Sequence, residues 1–354
     1  MRVFVGIAEM GIGGAEAVAE ELAVHRIRTG DEVTIASAGG FRADQLAAQG
    51  VRAVLAPMQT REPAALMRAI RAVRRELTGR PPDLTHVHNV KAAAVVRAAA
   101  ARRRAPVLAT LHGVPDAEYR TAARLLRACS DRLVAVSADV AERVVAAGYP
   151  SARTVVIENA IRTPAAHDRG AARDRLGIAP DVPVAVCVAR LVDQKRHDLL
   201  VSAWRSVPTD ALLLVAGDGA NRERIAGQIA ELGLAERVRM LGARTDVDWL
   251  LAAADVSVLP SDWEGLPISI LEALAAGVPV VASAVGALPA TLAGAAHLVA
   301  PRSSEALAQA VTSVLTDAAE RERLRAAGLA LIASRFGVDA MHAAYDAEYA
   351  QLLG

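Results

Sequence analysis

The chain has 354 residues, 53% of them hydrophobic and only 3% aromatic, so it can bury the cores of about two domains with small aliphatic side chains. Its 40 basic and 39 acidic residues give a formal net charge of +1, and this balance gives no reason to expect a nucleic-acid partner. Cys129 and Cys187 have neither CxxC nor metal-ligand spacing, which favours a reduced, cytoplasmic compartment.

Short β-branched runs alternate with longer Ala/Leu/Arg segments through the first half of the chain. The predicted strands are Arg2–Ile7, Glu32–Ala36, Ala53–Leu55, Leu84–Val87, Val107–Leu111, Arg132–Val136 and Thr154–Ile157. Helices are predicted between most of them, for example over Gly14–Arg28 and Ala64–Leu77. Strands that alternate with helices imply right-handed βαβ units and a parallel sheet.

The alternation restarts after Pro164–Gly170, a segment without periodicity that we interpret as a linker. The predicted strands of the second half are Val184–Val188, Ala211–Ala216, Val238–Leu241, Val256–Leu259, Val278–Ser283 and Ala296–Val299. We therefore expect an α/β protein with two Rossmann-like domains, residues 1–164 and 165–337, whose parallel sheets face each other across a cleft. An amphipathic C-terminal helix, residues 338–354, should pack back on the first domain.

The stretch Ala273–Pro301 has no charged residue and could be mistaken for a membrane span. Helix breakers such as Gly277, Pro279 and Gly286 interrupt it every few residues. It therefore predicts the end of a helix, a buried strand, a loop, a short helix and a second strand of a parallel sheet.

Ligands of open parallel sheets bind at the carboxyl ends of the strands, so the loops at those ends carry the candidate site. Arg190 and Lys195 follow the strand Val184–Val188, and two cations there suit a diphosphate; a solvated turn is the alternative. The glycines of Gly217-Asp218-Gly219, after the next strand, allow a tight turn or the close approach of a ligand.

The segment PSDWEGLPISILEALAAG carries the most specific pattern. Glu264 lies in a loop ahead of a helix, Pro267 suits the first turn of that helix, and the N–H groups of Gly265 and Leu266 are expected at its start, where anions are favoured. Glu272 lies inside the helix. Because eight helical residues span about 12 Å, the two carboxylates could contact separate parts of one nucleotide-sugar; an ordinary surface position is the alternative for Glu272.

The first half offers weaker signals. The turn GIGG follows the first strand and does not complete a dinucleotide fingerprint, because position 16 is Glu, but Gly13 and Gly14 still let the backbone approach a diphosphate. His112, at the end of Val107–Leu111, could bind a sugar hydroxyl or move a proton, or it could be structural.

Two further patterns have a functional and an ordinary interpretation. His86 and His88 have the H-x-H spacing of metal ligands, but no carboxylate or cysteine is near them in the sequence, so we expect no metal site. The basic helix Ala64–Leu77, together with Arg102-Arg103-Arg104, could make peripheral contact with an anionic membrane surface, although composition favours a solvated face.

Taken in order, the segments GIGGAE, HVHN, LHG, VIENAI, ARLVDQKRHDLL, AGDGANR, VRMLG and PSDWEGLPISILEALAAGVPVV resemble the family-4 retaining glycosyltransferases of the GT-B fold. The resemblance extends over essentially the whole chain, and the E-x7-E spacing of Glu264 and Glu272 is its most specific element. It implies a nucleotide-sugar donor, which we expect to be a UDP-sugar, and a glycan, lipid or small-molecule acceptor. It also implies a retaining reaction without cofactor or metal, in the cytoplasm or at the inner face of the membrane.

The resemblance implies residue roles as well. Arg190 and Lys195 would bind the donor diphosphate, Glu272 the ribose hydroxyls, and Glu264 and His112 the donor sugar. The remaining donor contacts would come from Gly13, Gly14, Gly217, Asp218, Gly219, Leu241, Gly265, Leu266 and Pro267.

The sequence departs from the family pattern at Glu158, Ala160, Ala287 and Ala290, which bears on the donor sugar more than on activity. Two alternatives share the architecture: a nucleotide-sugar-binding subunit without catalysis, and a sugar-nucleotide epimerase.

Overall fold

The computed structural model describes residues 1–60, 62–100 and 105–354. The chain forms two compact units, one of Met1–Asn159 together with Asp339–Gly354, and one of Ala160–Val338. The basic run Arg102–Arg104 lies outside the described residues.

The first unit is built on a seven-stranded parallel sheet. Its strands are β1 (Arg2–Gly6), β2 (Glu32–Ser37), β3 (Arg52–Leu55), β4 (Leu84–Val87), β5 (Val107–Leu111), β6 (Arg132–Ala135) and β7 (Thr154–Val156). Their order across the sheet is β3-β2-β1-β4-β5-β6-β7, so the chain starts near the centre, moves to one edge and returns to build the other half. This is the arrangement of a Rossmann-like sheet.

Helices connect these strands in the first unit. They are α1 (Gly14–Arg28), α2 (Phe41–Ala48), α3 (Pro63–Gly79), α4 (Val90–Ala99), α5 (Tyr119–Cys129) and α6 (Ala138–Ala146). Polar N-caps fix where two of them begin: the side chain of Asn89 accepts the N–H of Ala92 at 2.7 Å, and that of Ser137 accepts the N–H of Val140 at 3.3 Å.

The second unit repeats the scheme with six parallel strands in the order β10-β9-β8-β11-β12-β13. These are β8 (Val184–Val188), β9 (Leu212–Ala216), β10 (Val238–Gly242), β11 (Val256–Leu259), β12 (Val280–Ser283) and β13 (His297–Val299). Its helices are α7 (Arg169–Leu176), α8 (His197–Trp204), α9 (Arg222–Glu231), α10 (Val247–Ala253), α11 (Ile268–Ala275), α12 (Leu288–Thr291), α13 (Ser304–Thr316) and α14 (Ala318–Arg335). The last helix, α15 (Val338–Leu353), belongs to the first unit apart from its first residue.

The predicted strands and their parallel pairing are confirmed. The largest difference in bounds is at β12, which begins at Val280 instead of Val278. Val278 donates its backbone N–H to the carbonyl oxygen of Ala273 at 2.8 Å and so closes the end of α11, and Pro279 has no N–H to offer the sheet.

The uncharged stretch 273–301 folds as predicted, into the end of α11, β12, α12 and β13. Within the described ranges, every helix is too short or too polar to cross a bilayer.

Both faces of the second sheet are covered by helices. Successive strand residues point to opposite faces, so Cys187 and Val215 pack in one core with Trp204, while Val186 and Leu214 pack in the other. The strands β9, β11 and β12 are buried at every residue, so they lack the exposed polar positions of a half-exposed sheet.

The basic helix α3 buries one face and exposes its arginines. Ala69 and Val73 are buried, whereas Arg71 and Arg74 are exposed. Arg74 also has a structural use, because its Nη2 donates to the carbonyl oxygen of Ala98 at 3.0 Å near the end of α4. This pattern is that of a helix with one face on the core, and membrane contact stays a prediction.

Helix α15 packs on the first unit through buried hydroxyl groups. The Tyr349 hydroxyl lies 2.7 Å from His86 Nδ1, and the Tyr345 hydroxyl lies 3.1 Å from Thr110 Oγ1. His86 Nε2 lies 2.8 Å from the same Thr110 Oγ1, so one buried network joins β4, β5 and α15.

We expect Tyr349→Phe to lower Tm by several degrees, because it leaves His86 Nδ1 buried without a partner at a cost of about 1–3 kcal/mol. Tyr149→Phe is the matched control. The Tyr149 hydroxyl contacts Ser130 Oγ at 3.1 Å, and this Oγ keeps its bond to the carbonyl oxygen of Leu126 when the hydroxyl is removed. Equal losses in the two variants, measured by thermal unfolding, would contradict the role given to the network.

Two buried histidines should make the protein sensitive to acid. Burial, with a smaller contribution from the nearby His112, lowers the pKa of His86 to about 3. Burial, with Lys195 nearby, lowers the pKa of His197 to about 4. The unfolded rings have the ordinary value of 6.5, so unfolding at lower pH takes up protons. This stability is fully present above pH 6.5 and is lost as the pH falls toward the folded values.

We therefore expect Tm to fall between pH 7 and pH 5. We expect His197→Leu to reduce the slope of the free energy of unfolding against pH by the contribution of about one proton, or about 1.4 kcal/mol per pH unit. The substitution should be tolerated, since His197 Nδ1 is buried and has no partner in the described part of the chain. The same pH dependence in the variant and the wild type would show that His197 does not carry this effect.

Candidate functional site

The strand order of the second sheet reverses between β8 and β11, and most candidate residues surround this point. The two strands are hydrogen-bonded neighbours, although β9 and β10 separate them in the sequence. The loops at their carboxyl ends, residues 189–196 and 260–267, therefore leave the sheet side by side and lead to α8 and α11. Those helices pack on opposite faces of the sheet, so the two loops lie at the switch point where open α/β sheets bind ligands.

Lys195 and Glu264 form an ion pair between these two loops. The side chain of Lys195 is 13% exposed and that of Glu264 is 5% exposed, so the pair is largely shielded from water. Each charge compensates the burial of the other, which alone would be costly. The structure thus brings together two of the four charged side chains predicted at the site.

Reciprocal hydrogen bonds join the same loops beside the ion pair. Asp262 donates its backbone N–H to the carbonyl oxygen of Gln194 at 2.8 Å. Gln194 Nε2 in turn donates to the carbonyl oxygen of Trp263 at 2.9 Å. These two hydrogen bonds fix the loops next to each other and so keep Lys195 beside Glu264.

Arg196 holds the turn that presents Lys195. Its φ of 49° lies in the left-handed region, which costs a residue with a side chain about 1–2 kcal/mol. Its guanidinium contacts Asp198 and Asp262, each at 3.1 Å, and Arg302 contacts Asp262 at 3.0 Å. These ion pairs offset the local strain.

Arg190 follows β8 directly, and its side chain is exposed. The next residue, Leu191, donates its backbone N–H to the carbonyl oxygen of Asp218 at 2.9 Å. The loop that carries Arg190 therefore lies against the glycine turn after β9.

Gly217 and Gly219 are required by the packing of these two loops. A Cβ on Gly217 would overlap the carbonyl oxygen of Ala189, and a Cβ on Gly219 would overlap that of Leu191. The two glycines thus allow the close approach of a neighbouring loop, and contact with a ligand stays a prediction.

Leu241 lies near the end of the edge strand β10 and is half-buried. The carbonyl oxygen of the next residue, Gly242, accepts the N–H of Gly217 at 2.8 Å. Apart from Glu272, the predicted positions of the second unit therefore follow four strands that are neighbours in the sheet, β10, β9, β8 and β11.

The prediction that the N–H groups of Gly265 and Leu266 lie at a helix start is wrong, because α11 begins at Ile268. Pro267 precedes the helix with an extended backbone, and a proline disfavours helix for the residue before it. Glu272 does lie inside α11 as predicted and is half-buried. The helical separation of about 12 Å assumed for the two carboxylates does not apply, since the loop before the helix is not helical.

A glycine after β12 packs against the buried carboxylate residue. Gly286 has a φ of 53°, and a Cβ there would overlap the carbonyl oxygen of Glu264. The sequence marks this glycine only as a breaker, and its place beside Glu264 becomes visible in the fold.

In the first unit the strand order reverses between β1 and β4, and Gly13 and Gly14 lie at the start of α1 just after β1. The turn before them is anchored by Arg42, which donates its Nε to the carbonyl oxygen of Gly11 at 3.1 Å and pairs with Glu20. The glycine turn is therefore held in place by side chains of the fold.

His112 follows β5 and contacts His88, which follows β4. His88 Nδ1 lies 3.3 Å from His112 Nε2. Burial lowers the pKa of His112 to about 4 and that of His88 well below its usual range. Both rings are therefore neutral at pH 7.

The H-x-H spacing has a structural use. Both ring nitrogens of His86 are engaged by Tyr349 and Thr110, and its ring packs on His88 with centroids 4.2 Å apart. Over the described residues, no group of three or more His, Cys, Asp or Glu side chains could hold a metal ion.

The sequence analysis missed residues that join one loop to another within each unit. In the second unit these are Gln194, Arg196, Asp262 and Gly286, and in the first unit it is His88, the partner of His112. A composition signal for Lys195 was available, however. Lys91 and Lys195 are the two lysines of a chain that otherwise uses arginine for its permanent positive charge, so a lysine at a strand end is itself informative.

Two family profiles match consecutive parts of the chain. Residues 12–164 match the profile described as Glycosyltransferase Family 4, and residues 168–330 match that described as Glycosyl transferases group 1. Together they include most of both units.

Curated relatives match over shorter segments. The chain is 34% identical over 196 residues to the GDP-mannose-dependent monoacylated alpha-(1-6)-phosphatidylinositol monomannoside mannosyltransferase of Corynebacterium glutamicum. The matched segment is 51% of this chain and 50% of that relative. The chain is also 36% identical over 244 residues to the D-inositol 3-phosphate glycosyltransferase of Geodermatophilus obscurus. This match covers 62% of this chain and 53% of that relative. The chain thus spans about half the length of the curated relatives it matches.

A solved structure supports the architecture. Anabaena HepE in complex with UDP and glucose has a TM-score of 0.84 at 22% sequence identity, covering 98% of this chain and 99% of that one. At this identity the likeness shows the fold. The two profiles in sequence order, the two parallel sheets and this structural likeness show that the chain belongs to the family-4 glycosyltransferases of the GT-B fold.

Proposed function

We propose that the chain transfers a sugar from a nucleotide-sugar, which we expect to be a UDP-sugar, to a hydroxyl group of a glycan, lipid or small-molecule acceptor, with retention of anomeric configuration. The observation that carries this proposal is the shielded Lys195–Glu264 ion pair at the strand-order reversal of the second sheet. Such a pair is often no more stabilising than apolar side chains of similar volume, so its place at the switch point of an open parallel sheet favours a functional role.

Arg190 and Lys195 supply the positive charge that the reaction needs. The bond between the sugar C1 and the donor phosphate oxygen breaks, its electron pair passes to the departing nucleoside diphosphate, and the two cations stabilise that charge. The acceptor oxygen bonds C1 on the same face, and its proton passes to an oxygen of the leaving phosphate. In this scheme the cations take the role that a divalent metal would otherwise have, and no cofactor takes part.

Glu264 and Glu272 have different surroundings, which suits different roles. Glu264 is buried beside Lys195, so a donor that enters must share Lys195 between this carboxylate and its phosphates. We assign Glu264 to hydroxyls of the donor sugar and the half-buried Glu272 to the ribose. Gly13, Gly14 and His112 keep the donor contacts that the family resemblance implies.

The donor base and the acceptor are the open chemical choices. The C. glutamicum relative is named for GDP-mannose and for a phosphatidylinositol glycolipid, whereas the Anabaena structure holds UDP and glucose. We therefore compare UDP- and GDP-sugars first, and we include lipid acceptors in vesicles. The proposed location is the cytoplasm, at the inner face of the membrane where the acceptor is a lipid.

A donor panel tests the proposed function. We expect one nucleotide-sugar among UDP-, GDP-, ADP- and dTDP-sugars to raise Tm and to be slowly hydrolysed without an acceptor, because the site binds the diphosphate and stabilises it as a leaving group. The anomeric configuration of the released or transferred sugar is read by NMR. Binding without any turnover would favour a non-catalytic subunit, and isomerisation of the donor sugar would favour an epimerase. No response to any donor by the folded protein would refute the proposal.

We expect Lys195→Ala to weaken nucleoside diphosphate binding by about 10- to 100-fold, because the substitution removes one charge-assisted hydrogen bond. It should also lower stability by about 3–5 kcal/mol, because Glu264 stays buried without its cation. Calorimetric titration and thermal unfolding measure the two effects. Lys91→Ala is the matched control, since Lys91 is exposed and only reaches the carbonyl oxygen of Gln59 at 3.5 Å.

A double variant separates binding from stability. Lys195→Ala with Glu264→Gln removes both charges, so the stability should largely return while diphosphate affinity stays low. If the double variant regained the wild-type affinity, Lys195 would not be a phosphate ligand.

A further inference from the structure

Hydrogen bonds fix the backbone at His88 and the residue that follows it. Its backbone N–H donates to the carbonyl oxygen of Gly6 at 2.9 Å, and the next residue, Asn89, caps α4. Its side chain is buried against the ring of His86. With backbone and ring both confined, His88 presents its two nitrogens in fixed directions.

The two ring nitrogens of His88 have unequal surroundings. Nδ1 lies 3.3 Å from His112 Nε2. Nε2 is buried and has no hydrogen-bond partner within the described ranges. The contact with His112 is therefore the polar interaction that His88 makes through its ring.

This asymmetry selects one proton arrangement. A neutral imidazole has one N–H donor and one acceptor nitrogen. If His112 donated, His88 would carry its own N–H at Nε2, where it would be buried without an acceptor. Orphaned buried N–H groups are rarer in proteins than under-satisfied acceptors. The arrangement favoured is therefore donation from His88 Nδ1–H to His112 Nε2, which leaves the proton of His112 on its Nδ1.

We propose that His88 is a positioning residue that holds His112 in its Nδ1–H tautomer, so that His112 offers a fixed, neutral N–H donor to a hydroxyl of the donor sugar. The sugar part of this inference rests on the proposed function. His112 is only partly buried, and its Nδ1 has no protein partner among the described residues, so this N–H remains available to a ligand.

The arrangement also limits the chemistry of His112. Its Nε2 lone pair is engaged by His88, so that nitrogen is not available to remove a proton from an acceptor. Burial lowers the pKa of the ring to about 4, which keeps it from acting as a charged ligand of phosphate at pH 7. A neutral N–H suits a hydroxyl oxygen, and its loss should therefore affect binding of the sugar and not of the nucleoside diphosphate.

The tautomer is measured directly by long-range 1H–15N NMR of the unliganded full chain, with the His112 signals assigned from a His112→Asn variant. We expect a protonated Nδ1 and an unprotonated Nε2 on His112 that do not change between pH 6 and pH 8. A protonated Nε2 on His112 would overturn the proposal whatever the donor panel shows.

The sugar contribution is measured as the affinity for the nucleotide-sugar divided by the affinity for the same nucleoside diphosphate. We expect His88→Leu to lower this ratio by about 3- to 10-fold, the worth of one neutral hydrogen bond, with the diphosphate affinity unchanged. His88→Asn places an amide near the Nδ1 position and should restore both the ratio and the tautomer. This second variant also serves if His88→Leu does not fold.

Thr110→Val is the matched structural control. It is buried in the neighbouring strand and disturbs the contacts of His86 and Tyr345, but it removes no contact of His112. It should leave the ratio and the tautomer unchanged while lowering Tm. An unchanged ratio in His88→Leu, or an equal fall in Thr110→Val, would overturn the role of His88. Failure of the wild type to bind any nucleotide-sugar would instead refute the proposed function, and the NMR result would still decide the tautomer.

Discussion

The reversal of strand order at the centre of each sheet is the constraint on which the rest of the structure depends. Between β8 and β11 the connecting helices pack on opposite faces of the sheet, and the loops at the ends of these two strands leave it side by side. The loops there must satisfy their own polar groups, and they do so by bonding to each other through Gln194 and Asp262. The two joined loops carry Lys195 and Glu264 at the position where open parallel sheets bind ligands.

The Lys195–Glu264 pair places two opposite charges on these loops. Removing two ions from water is costly, and their attraction only roughly compensates for it, so the pair is weak evidence for stability and better evidence for function. The surrounding structure bears a further cost in the left-handed backbone of Arg196. Glycines at 217, 219 and 286 then allow neighbouring loops to approach where any side chain would collide with a carbonyl oxygen. Charge, strain and close backbone contact therefore coincide at one place, as they do at binding sites more often than elsewhere.

Three histidines of the first unit show how environment decides the use of one side-chain type. His86 is fully engaged by Tyr349 and Thr110 and connects α15 to the sheet. Among the residues that the structure describes, His88 has one nitrogen engaged and one buried without a partner, and His112 has one nitrogen engaged and the other open. At two adjacent strand ends, the rings therefore range from His86, which is fully engaged within the protein, to His112, which is available to a ligand. The C-terminal helix is thereby linked, through buried hydroxyl groups, to the strands that carry these residues.

The helices, the strands and the loops that carry the candidate residues could be predicted from local patterns in the sequence. Periodicity and breakers are local properties, so they predicted β4, β5, β8 and β11 with the bounds observed, and they placed Arg190, Lys195 and Glu264 after strands. The prediction failed at Pro267, which has an extended backbone and caps the helix, so that α11 begins at Ile268.

Which strand ends are neighbours became known from the fold. Lys195 and Glu264 are 69 residues apart, and nothing in the spacing of either segment states that β8 and β11 pair. The same holds for Gly286 beside Glu264 and for His88 beside His112, since contacts of this kind follow from strand order. Strand order is set by long-range packing of apolar faces, and that packing is a property of the whole chain and not of any one segment.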